Sequence, residues 1–206
     1  MFFSLFFSVV LFQFPQNTSI NMISLSNKSD NIKYQNKDEF FNDQTKNSIK
    51  INEDTSGICG PNANFTTQDN ILTIFGSGPI TNYSDITGHH PWWDYRSNFI
   101  TLKINDGITS IGSYAFYSFM NLESVTMTSS VTVIFSGAFK NCQKLKSINI
   151  SNNIVYIGSH VFSGCSSLLS ITIPEKVPLI DSNTFENCFN LTTCEILGNI
   201  SSIGNS

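Results

Sequence analysis

A fixed step of 23 residues runs through the second half of the chain and constrains its fold more than any other feature. Four columns of apolar residues keep this step: Ile111, Ile134, Ile157 and Ile180; Phe116, Phe139, Phe162 and Phe185; Leu122, Leu145, Leu168 and Leu191; and Cys142, Cys165 and Cys188. Columns that share one step across several units indicate an internal repeat. The units, called coils below, begin at residues 102, 125, 148 and 171, and a partial fifth begins at 194.

Each coil combines two apolar periods. Ile148 and Ile150 alternate with polar residues, which predicts a short half-buried strand, and a second extended piece follows a polar turn. Phe139, Cys142 and Leu145 then lie three residues apart, which predicts a short helical turn. One coil buries too few side chains to offset the entropy of ordering it. We therefore expect a mainly β repeat solenoid, in which coils with one strand and a short helical turn each cover their neighbours.

The first 55 residues differ in character from the repeat. Residues 1–19 contain an apolar run that is shorter than the roughly 20 residues of a membrane-spanning helix and suits a secretory signal peptide. The alternative is an N-terminus that is not a signal, because the run lacks a preceding Lys or Arg and a small-residue cleavage site. Residues 20–55 are rich in Asn, Ser and Lys, so we expect a disordered linker. No second long apolar run occurs, so we expect no transmembrane helix in the mature chain.

Composition excludes several functional classes. Charged residues make up 13% of the chain and its formal net charge is −4, whereas a nucleic-acid binder needs a basic face. The three histidines show no metal-ligand spacing and no triad partners. Carboxylates within the coils are sparse and do not recur in pairs. The sequence therefore predicts a non-enzymatic protein that has no cofactor or metal and does not bind nucleic acid.

The coil 148–170 carries a specific motif. Its strand isoleucines are followed by Ile157-Gly158, then by Phe162, Cys165 and Leu168. This order resembles the BspA-like, treponemal-type leucine-rich repeats, whose pattern is roughly L-x-x-[IV]-x-I-P-x-x-V-x-x-I-G-x-x-A-F-x-x-C. We therefore expect a leucine-rich-repeat-like, right-handed stack of coils. The local departures from the pattern are Phe135 for Gly, Phe119 for Cys, and Val161 and Thr184 for Ala.

The segment ahead of the coils resembles the N-terminal cap of the same family. The similar stretches are 56–60, 71–80 and 91–96, the last of which reads Pro-Trp-Trp-Asp-Tyr-Arg. We expect a β-rich cap over residues 56–101 and the solenoid over residues 102–206. The resemblance implies a surface antigen of an anaerobic bacterium or a parasitic protist, a class associated with adhesion to host proteins or to other cells.

The strand side of the solenoid is the predicted contact surface. Solenoids present extended faces to macromolecules. One outward position in each coil gives the row Lys103, Thr126, Asn149, Thr172 and Glu195. The row is polar and almost uncharged, which favours hydrogen-bonded contact over electrostatic capture. We expect a secreted or surface-attached module that binds a host or cell-surface protein. The alternative is an intracellular scaffold for protein–protein interaction.

Glycosylation sequons occur throughout the chain. Those in the cap and the coils are Asn64, Asn82, Asn149, Asn190 and Asn199. In a secreted eukaryotic protein these asparagines would accept glycans. A chain rich in Asn and Ser also produces sequons by chance, so they support secretion only weakly.

Three further groups of residues have both a structural and a functional interpretation. The cysteine column packs as small hydrophobic side chains with reduced thiols, because metal-ligand spacing is absent. For the same reason His89-His90 is interpreted as part of a loop and not as a metal site. Trp92, Trp93 and Tyr95 either seal the end of the solenoid or form a sugar-stacking platform, and the need for terminal capping units favours the seal.

The fifth coil lacks the residues that close the other four. Ile196, Ile200 and Ile203 begin its inner columns, but no Phe, Cys and Leu follow before Ser206. An uncovered strand edge beside apolar side chains promotes association. We expect self-association through this end, or fraying of residues 194–206.

Overall fold

The computed structural model describes residues 55–83 and 90–205. The predicted signal peptide, nearly all of the predicted linker, and His89 lie outside the described residues. In chain order the elements are β1 (Ser56–Ile58), β2 (Asn62–Gln68), β3 (Ile71–Pro79), a 3₁₀ helix (Trp93–Asn98), β4 (Thr101–Ile104), β5 (Ile108–Ile111), β6 (Ser124–Met127), β7 (Val133–Ile134), β8 (Ser147–Ile148), β9 (Tyr156–Ile157), β10 (Ser170–Ile173), β11 (Leu179–Ile180), β12 (Thr193–Ile196) and β13 (Ser202–Ile203).

The last strand of the cap, β3, is long, and the first coil is built on it. β1 pairs antiparallel with β2, and β2 pairs antiparallel with β3. The first part of β3 pairs in parallel with β4, whereas its last two residues pair with β5. Gly76 lies between these two parts with a φ of 105°, and a Cβ there would lie 2.2 Å from the carbonyl oxygen of Asn62. Glycine is therefore required where β3 passes from one row of strands to the other.

Each coil contributes two short parallel strands. β4, β6 and β8 continue from one part of β3, and β5, β7 and β9 continue from the other. The last two coils repeat this arrangement in two separate pairs, β10 with β12 and β11 with β13. Every pairing between coils joins residues 23 apart, such as Val125 with Ile148 and Ile134 with Ile157. The predicted mainly β solenoid of 23-residue coils is confirmed, and the second extended piece of each coil is a strand.

The predicted helical turn is a run of tight backbone turns. The Cys142 N–H donates to the Phe139 carbonyl at 3.2 Å, which is the three-residue spacing of a 3₁₀ turn. Gly137 and Asn141 interrupt the run with φ values of 66° and 63°, which a right-handed helix excludes. The Phe139 N–H instead donates to the carbonyl of Val161 in the next coil, at 3.0 Å. Hydrogen bonds therefore join the coils on the turn side as well as through the strands.

The repeated columns form the core. Phe139 stacks on Phe116 at 5.5 Å and on Phe162 at 6.0 Å between ring centroids. Trp92 covers the N-terminal end of this stack, with its ring 5.4 Å from that of Phe116. Phe185, at the other end, is only partly buried. The isoleucine column lies inside the same core, with all of its first four members buried: Ile111, Ile134, Ile157 and Ile180.

Candidate functional site

The predicted contact residues lie in one exposed row across the first strands of the coils. Register pairs Lys103 with Thr126 and Thr172 with Glu195, and Asn149 follows β8 in the coil between them. All five side chains are exposed. In the first four coils the residue before each of these, for example Val125 or Ile171, is buried in the core, because side chains alternate across a strand. We call this row the strand face.

The cap extends the strand face by residues that the repeat does not reveal. Thr73 of β3 pairs in register with Lys103, and Thr66 of β2 pairs with Thr73. The cap strands do not share the 23-residue step, so the repeated columns stop at β4. Alternation of polar and apolar residues along β2 predicts that Thr66 points outward. It does not predict that Thr66 lies in line with the row of the coils.

A second row of hydroxyl groups lies beside the strand face. Its members stand two residues before those of the strand face on the same side of the strands: Thr101, Ser124, Ser147, Ser170 and Thr193. The hydroxyls of Thr101 and Ser124 are 3.2 Å apart and hydrogen-bond to each other. The surface around the strand face therefore offers small polar groups on adjacent strands at a spacing of about 4.8 Å.

Within the strand face, Thr126 and Thr172 form side-chain hydrogen bonds, but Asn149 between them forms none to the described residues. The Thr126 hydroxyl donates to the Leu102 carbonyl at 3.5 Å, and the Thr172 hydroxyl donates to the Glu195 carboxylate at 3.3 Å. Among the described residues, Asn149 makes no side-chain hydrogen bond. Its coil is also where the row of first strands is interrupted, because β8 and β10 belong to different sheets. The middle of the strand face therefore has free hydrogen-bonding capacity.

The margin of the strand face carries an ion pair. The Lys146 ammonium lies 2.8 Å from the Glu123 carboxylate, and these residues stand at the same position of successive coils. The hydrogen bond from Lys146, together with its charge, lowers the pKa of the Glu123 carboxyl. The two charges offset each other, so they add no net charge beside the strand face.

The cysteine column lies in the core, and its thiols are hydrogen-bonded. The Sγ atoms of Cys142, Cys165 and Cys188 approach the phenylalanine carbonyls of the preceding coil at 3.3, 3.2 and 3.1 Å. Burial raises the pKa of the Cys165 thiol, and it raises the pKa of Cys188 to about 12. Protonated buried thiols are poor nucleophiles and poor metal ligands. No cluster of His, Cys, Asp or Glu suited to a metal occurs in the part of the chain that the structure describes.

The aromatic residues of the cap act mainly as a lid on the solenoid. Trp92 is fully buried, and its indole N–H donates to the Ala115 carbonyl at 2.9 Å. The guanidinium of Arg96 lies 3.7 Å above the centre of the Trp93 ring, and the Trp93 ring also stacks on that of Tyr117 at 6.3 Å. Trp93 therefore lacks a fully open face for a sugar ring. The capping interpretation of this segment accounts for these contacts.

His90 belongs to the same aromatic group. It is buried, with its ring 4.4 Å from that of Tyr83 and 5.2 Å from that of Trp93. The Tyr83 hydroxyl donates to the Cys59 carbonyl at 3.3 Å, and burial raises the pKa of Tyr83 to about 12. These contacts tie the residues ahead of the 3₁₀ helix to the first turn of the cap.

The five sequon asparagines lie in different environments. Asn64 is partly buried on β2, whereas the other four are exposed. The Asn82 carboxamide accepts a hydrogen bond from the Ser113 N–H, and that of Asn190 donates to the Ser166 carbonyl, both at 2.8 Å. Asn149 lies on the strand face, and Asn199 lies in the last coil. A glycan on Asn149 would cover the strand face.

The fifth coil is covered on one side only. β12 pairs with β10 and β13 pairs with β11, and neither has a second partner among the described residues. Ile196 and Ile200 are partly buried, and Ile203 is 54% exposed. The described residues also contain no helix that is long and apolar enough to cross a bilayer.

The repeat region matches a known family. The sequence model of the BspA-type leucine-rich repeat region covers residues 93–206 with six copies, which is more than half of the chain. The chain belongs to the BspA-type leucine-rich repeat family. The family match begins at residue 93, where the 3₁₀ helix starts. It therefore includes residues 93–101, which the sequence assigns to the cap. The predicted family is confirmed.

Solved structures of leucine-rich repeat proteins share the fold. A leucine-rich repeat protein from Eubacterium ventriosum is 26% identical with a TM-score of 0.60, over 73% of this chain and 40% of its own. A leucine-rich cell surface protein from Faecalibacterium prausnitzii is 24% identical with a TM-score of 0.51, over 73% of this chain and 50% of its own. The chain thus spans half or less of the length of these two proteins. No curated protein matches the sequence.

Proposed function

We propose that the protein is a non-enzymatic binding module, secreted or attached to the cell surface, that contacts a host or cell-surface protein through the strand face. The observation that carries this proposal is the exposed polar row of strand-face side chains on consecutive coils. Rigid parallel strands hold these groups at a fixed spacing, so a partner that matches them causes little loss of conformational entropy on the protein's side. The BspA-type family supports the location, and the protein of the same fold from Faecalibacterium prausnitzii is a cell surface protein.

The chemistry of the strand face supports a contact based on hydrogen bonds. Its middle residues, Thr126, Asn149 and Thr172, are uncharged, and the adjacent Glu123–Lys146 pair is internally neutral. Buried thiols and the lack of a carboxylate pair or metal cluster among the described residues give no support to catalysis. We therefore expect moderate affinity that depends on salt only through the two charged ends of the row, Lys103 and Glu195.

Two measurements test this function. Labelling of intact cells with a membrane-impermeant reagent should modify the protein if it is at the surface, and protection until lysis would instead indicate the intracellular scaffold. Binding of the purified protein to intact host or neighbouring cells should fall about tenfold when Thr126 and Thr172 are both changed to Arg, because two bulky cations then occupy the strand face.

The matched control places the same substitutions on the other row of strands. Thr109 is exposed within β5, and Ser201 is exposed directly before β13. Thr109→Arg with Ser201→Arg therefore adds equal charge away from the strand face. Binding by this variant should stay within about twofold of that of the unmodified protein. Equal loss in both variants would show that added charge, and not the strand face, determines binding.

A further inference from the structure

The two ends of the strand face carry opposite charges. Lys103 stands in the first coil and Glu195 in the fifth, and the three residues of the row between them are uncharged. Register places Lys103 beside Thr126 and Glu195 beside Thr172. Four strand spacings of about 4.8 Å separate the two charges by about 19 Å along a line that crosses the strands.

The middle of this line has the hydrogen-bonding groups of a peptide unit. The Asn149 carboxamide offers one carbonyl acceptor and an NH₂ donor, which together complement the N–H and C=O of a backbone amide. Ser147 and Ser170, on the row beside it, are exposed and make no side-chain hydrogen bonds among the described residues. Three polar side chains that make no hydrogen bonds to the described residues thus lie where the row passes from β8 to β10, which belong to different sheets.

The length of the line matches a short extended segment. An extended chain advances about 3.3 Å per residue, so about six residues span the distance from Lys103 to Glu195. A neutral polysaccharide would use the hydroxyls and the carboxamide but gain nothing from two opposite charges at fixed ends. Charge complementarity therefore favours a peptide over a glycan.

We propose that the strand face binds an extended peptide segment of about six residues that lies across the strands, with an acidic residue at Lys103, a basic residue at Glu195 and uncharged polar residues over Asn149. This proposal rests on the proposed function and names its partner's chemistry. The segment can run in either chain direction, since the ends are read by charge.

The test uses four blocked hexapeptides that differ only at their ends. Each has the middle Ser-Asn-Thr-Ser, flanked by Asp and Lys, by Lys and Lys, by Asp and Asp, or by Ser and Ser. Titration at low salt, followed by the backbone amide signals of the five strand-face residues, gives an affinity for each peptide. The Asp/Lys peptide should bind about threefold to tenfold more tightly than the other three, as expected for two exposed ion pairs. High salt should remove this preference.

Charge exchange at the two ends should change the ranking in a defined way. Lys103→Glu makes both ends acidic, so the Lys/Lys peptide should become the tightest binder, and Glu195→Lys should favour the Asp/Asp peptide. The double exchange restores one charge of each sign and should restore preference for the Asp/Lys peptide. Lys140→Glu, the same charge change on the turn side of the second coil, should leave the ranking unchanged.

Two results would overturn the peptide proposal. One is a ranking of the four peptides that does not respond to Lys103→Glu or Glu195→Lys. The other is a shift of the same amide signals by a neutral oligosaccharide such as maltohexaose when none of the peptides shifts them. Either result leaves the proposed function standing if the Thr126/Thr172 variant still loses cell binding. Loss of that effect as well would remove the strand face as the contact surface.

Discussion

The two ends of the solenoid contain residues of the same repeated columns in different surroundings. At the N-terminal end, Trp92 covers Phe116, and both side chains are fully buried. At the C-terminal end, Phe185 stacks on Phe162 at 5.8 Å on one side and is only partly buried. The isoleucine column shows the same contrast, with Ile111 fully buried and Ile203 54% exposed.

This contrast shows that burial in the solenoid is supplied by neighbours. A 23-residue coil does not enclose its own apolar side chains, so each inner position needs a covering residue from the coils on both sides. The cap meets this need with residues that do not follow the repeat. It also satisfies backbone groups of the first coil, because the Trp92 indole N–H donates to the Ala115 carbonyl at 2.9 Å.

Removal of the lid should have the largest effect on stability. Trp92→Ala is expected to lower the free energy of unfolding by about 3–5 kcal/mol through the cavity it leaves, and loss of the donor to Ala115 adds about 1 kcal/mol. Trp93→Ala is the control, because Trp93 is only partly buried and should cost about 1–2 kcal/mol. Urea unfolding measures both. Equal losses would show that Trp92 does not act as the lid.

Truncation within the phenylalanine stack should distinguish an interior coil from the last complete one. Phe139→Ala is expected to cost about 3–5 kcal/mol, because phenylalanine rings cover it on both sides. Phe185→Ala should cost about half as much, since it has a stacking partner on one side only. The comparison uses the denaturant midpoints of the two variants, provided that the free energy of unfolding falls with denaturant concentration at the same slope in both. An unchanged midpoint for Phe139→Ala would place that column outside the core.

The repeat could be predicted from the sequence because its physical cause is local and periodic. Stacked coils need the same side chain at the same step, so the columns through Ile134 and Phe139 reveal both the period and the inward positions. The fold and the strand-face row follow from them, whereas the family is indicated by the resemblance of the coil 148–170 to its repeat motif. Phe135 departs from the column that holds Gly112 and Gly158 in the neighbouring coils, and its ring lies 6.3 Å from that of Tyr156.

The cap and the turns could not be predicted to the same depth. β3 pairs with both β4 and β5, whose paired residues lie thirty or more positions away along the chain. No repeat in the sequence indicates these contacts. The three-residue spacing of Phe139 and Cys142 suggests a helix, but the positive φ of Asn141 redirects backbone groups to the next coil. Stacking between coils determines these hydrogen bonds, and the spacing of the apolar residues does not predict them.

Thiol reactivity should report the same contrast between interior and terminal coils. Cys165 is fully buried, whereas Cys194 is exposed in the fifth coil. Desolvation raises the pKa of both thiols, so the contrast between them lies in access to the reagent. At pH 8 a thiol reagent should modify Cys194 first, Cys188 slowly, and Cys165 only after unfolding. The reacted positions are read by mass spectrometry without reductant, with Cys194→Ser as the control. Modification of Cys165 at the rate of Cys194 would contradict its placement in a closed column.

The ion pair between the first and second coils should give the smallest effect. The hydrogen bond from Lys146 lowers the pKa of Glu123 below the value of about 4.3 that it has in the unfolded chain. The pair therefore contributes stability above about pH 4.3, and this contribution is lost as the pH falls through the lowered folded-state pKa. Both side chains are well exposed, so solvent screening keeps the contribution small.

The pH dependence of Glu123→Gln measures this contribution. At low salt and pH 7, urea should unfold the variant at a slightly lower concentration than the unmodified protein, and the two midpoints should converge as the pH is lowered through the folded-state pKa of Glu123. Glu175→Gln, which removes an exposed carboxylate that forms no ion pair with any described residue, should show no such convergence. In the third and fourth coils the same column holds Leu169 and Thr192. Leu169→Glu with Thr192→Lys would therefore test whether one more pair between coils stabilises the C-terminal end. A midpoint difference for Glu123→Gln that does not shrink as the pH is lowered would mean that the side chain acts through packing and not through its charge.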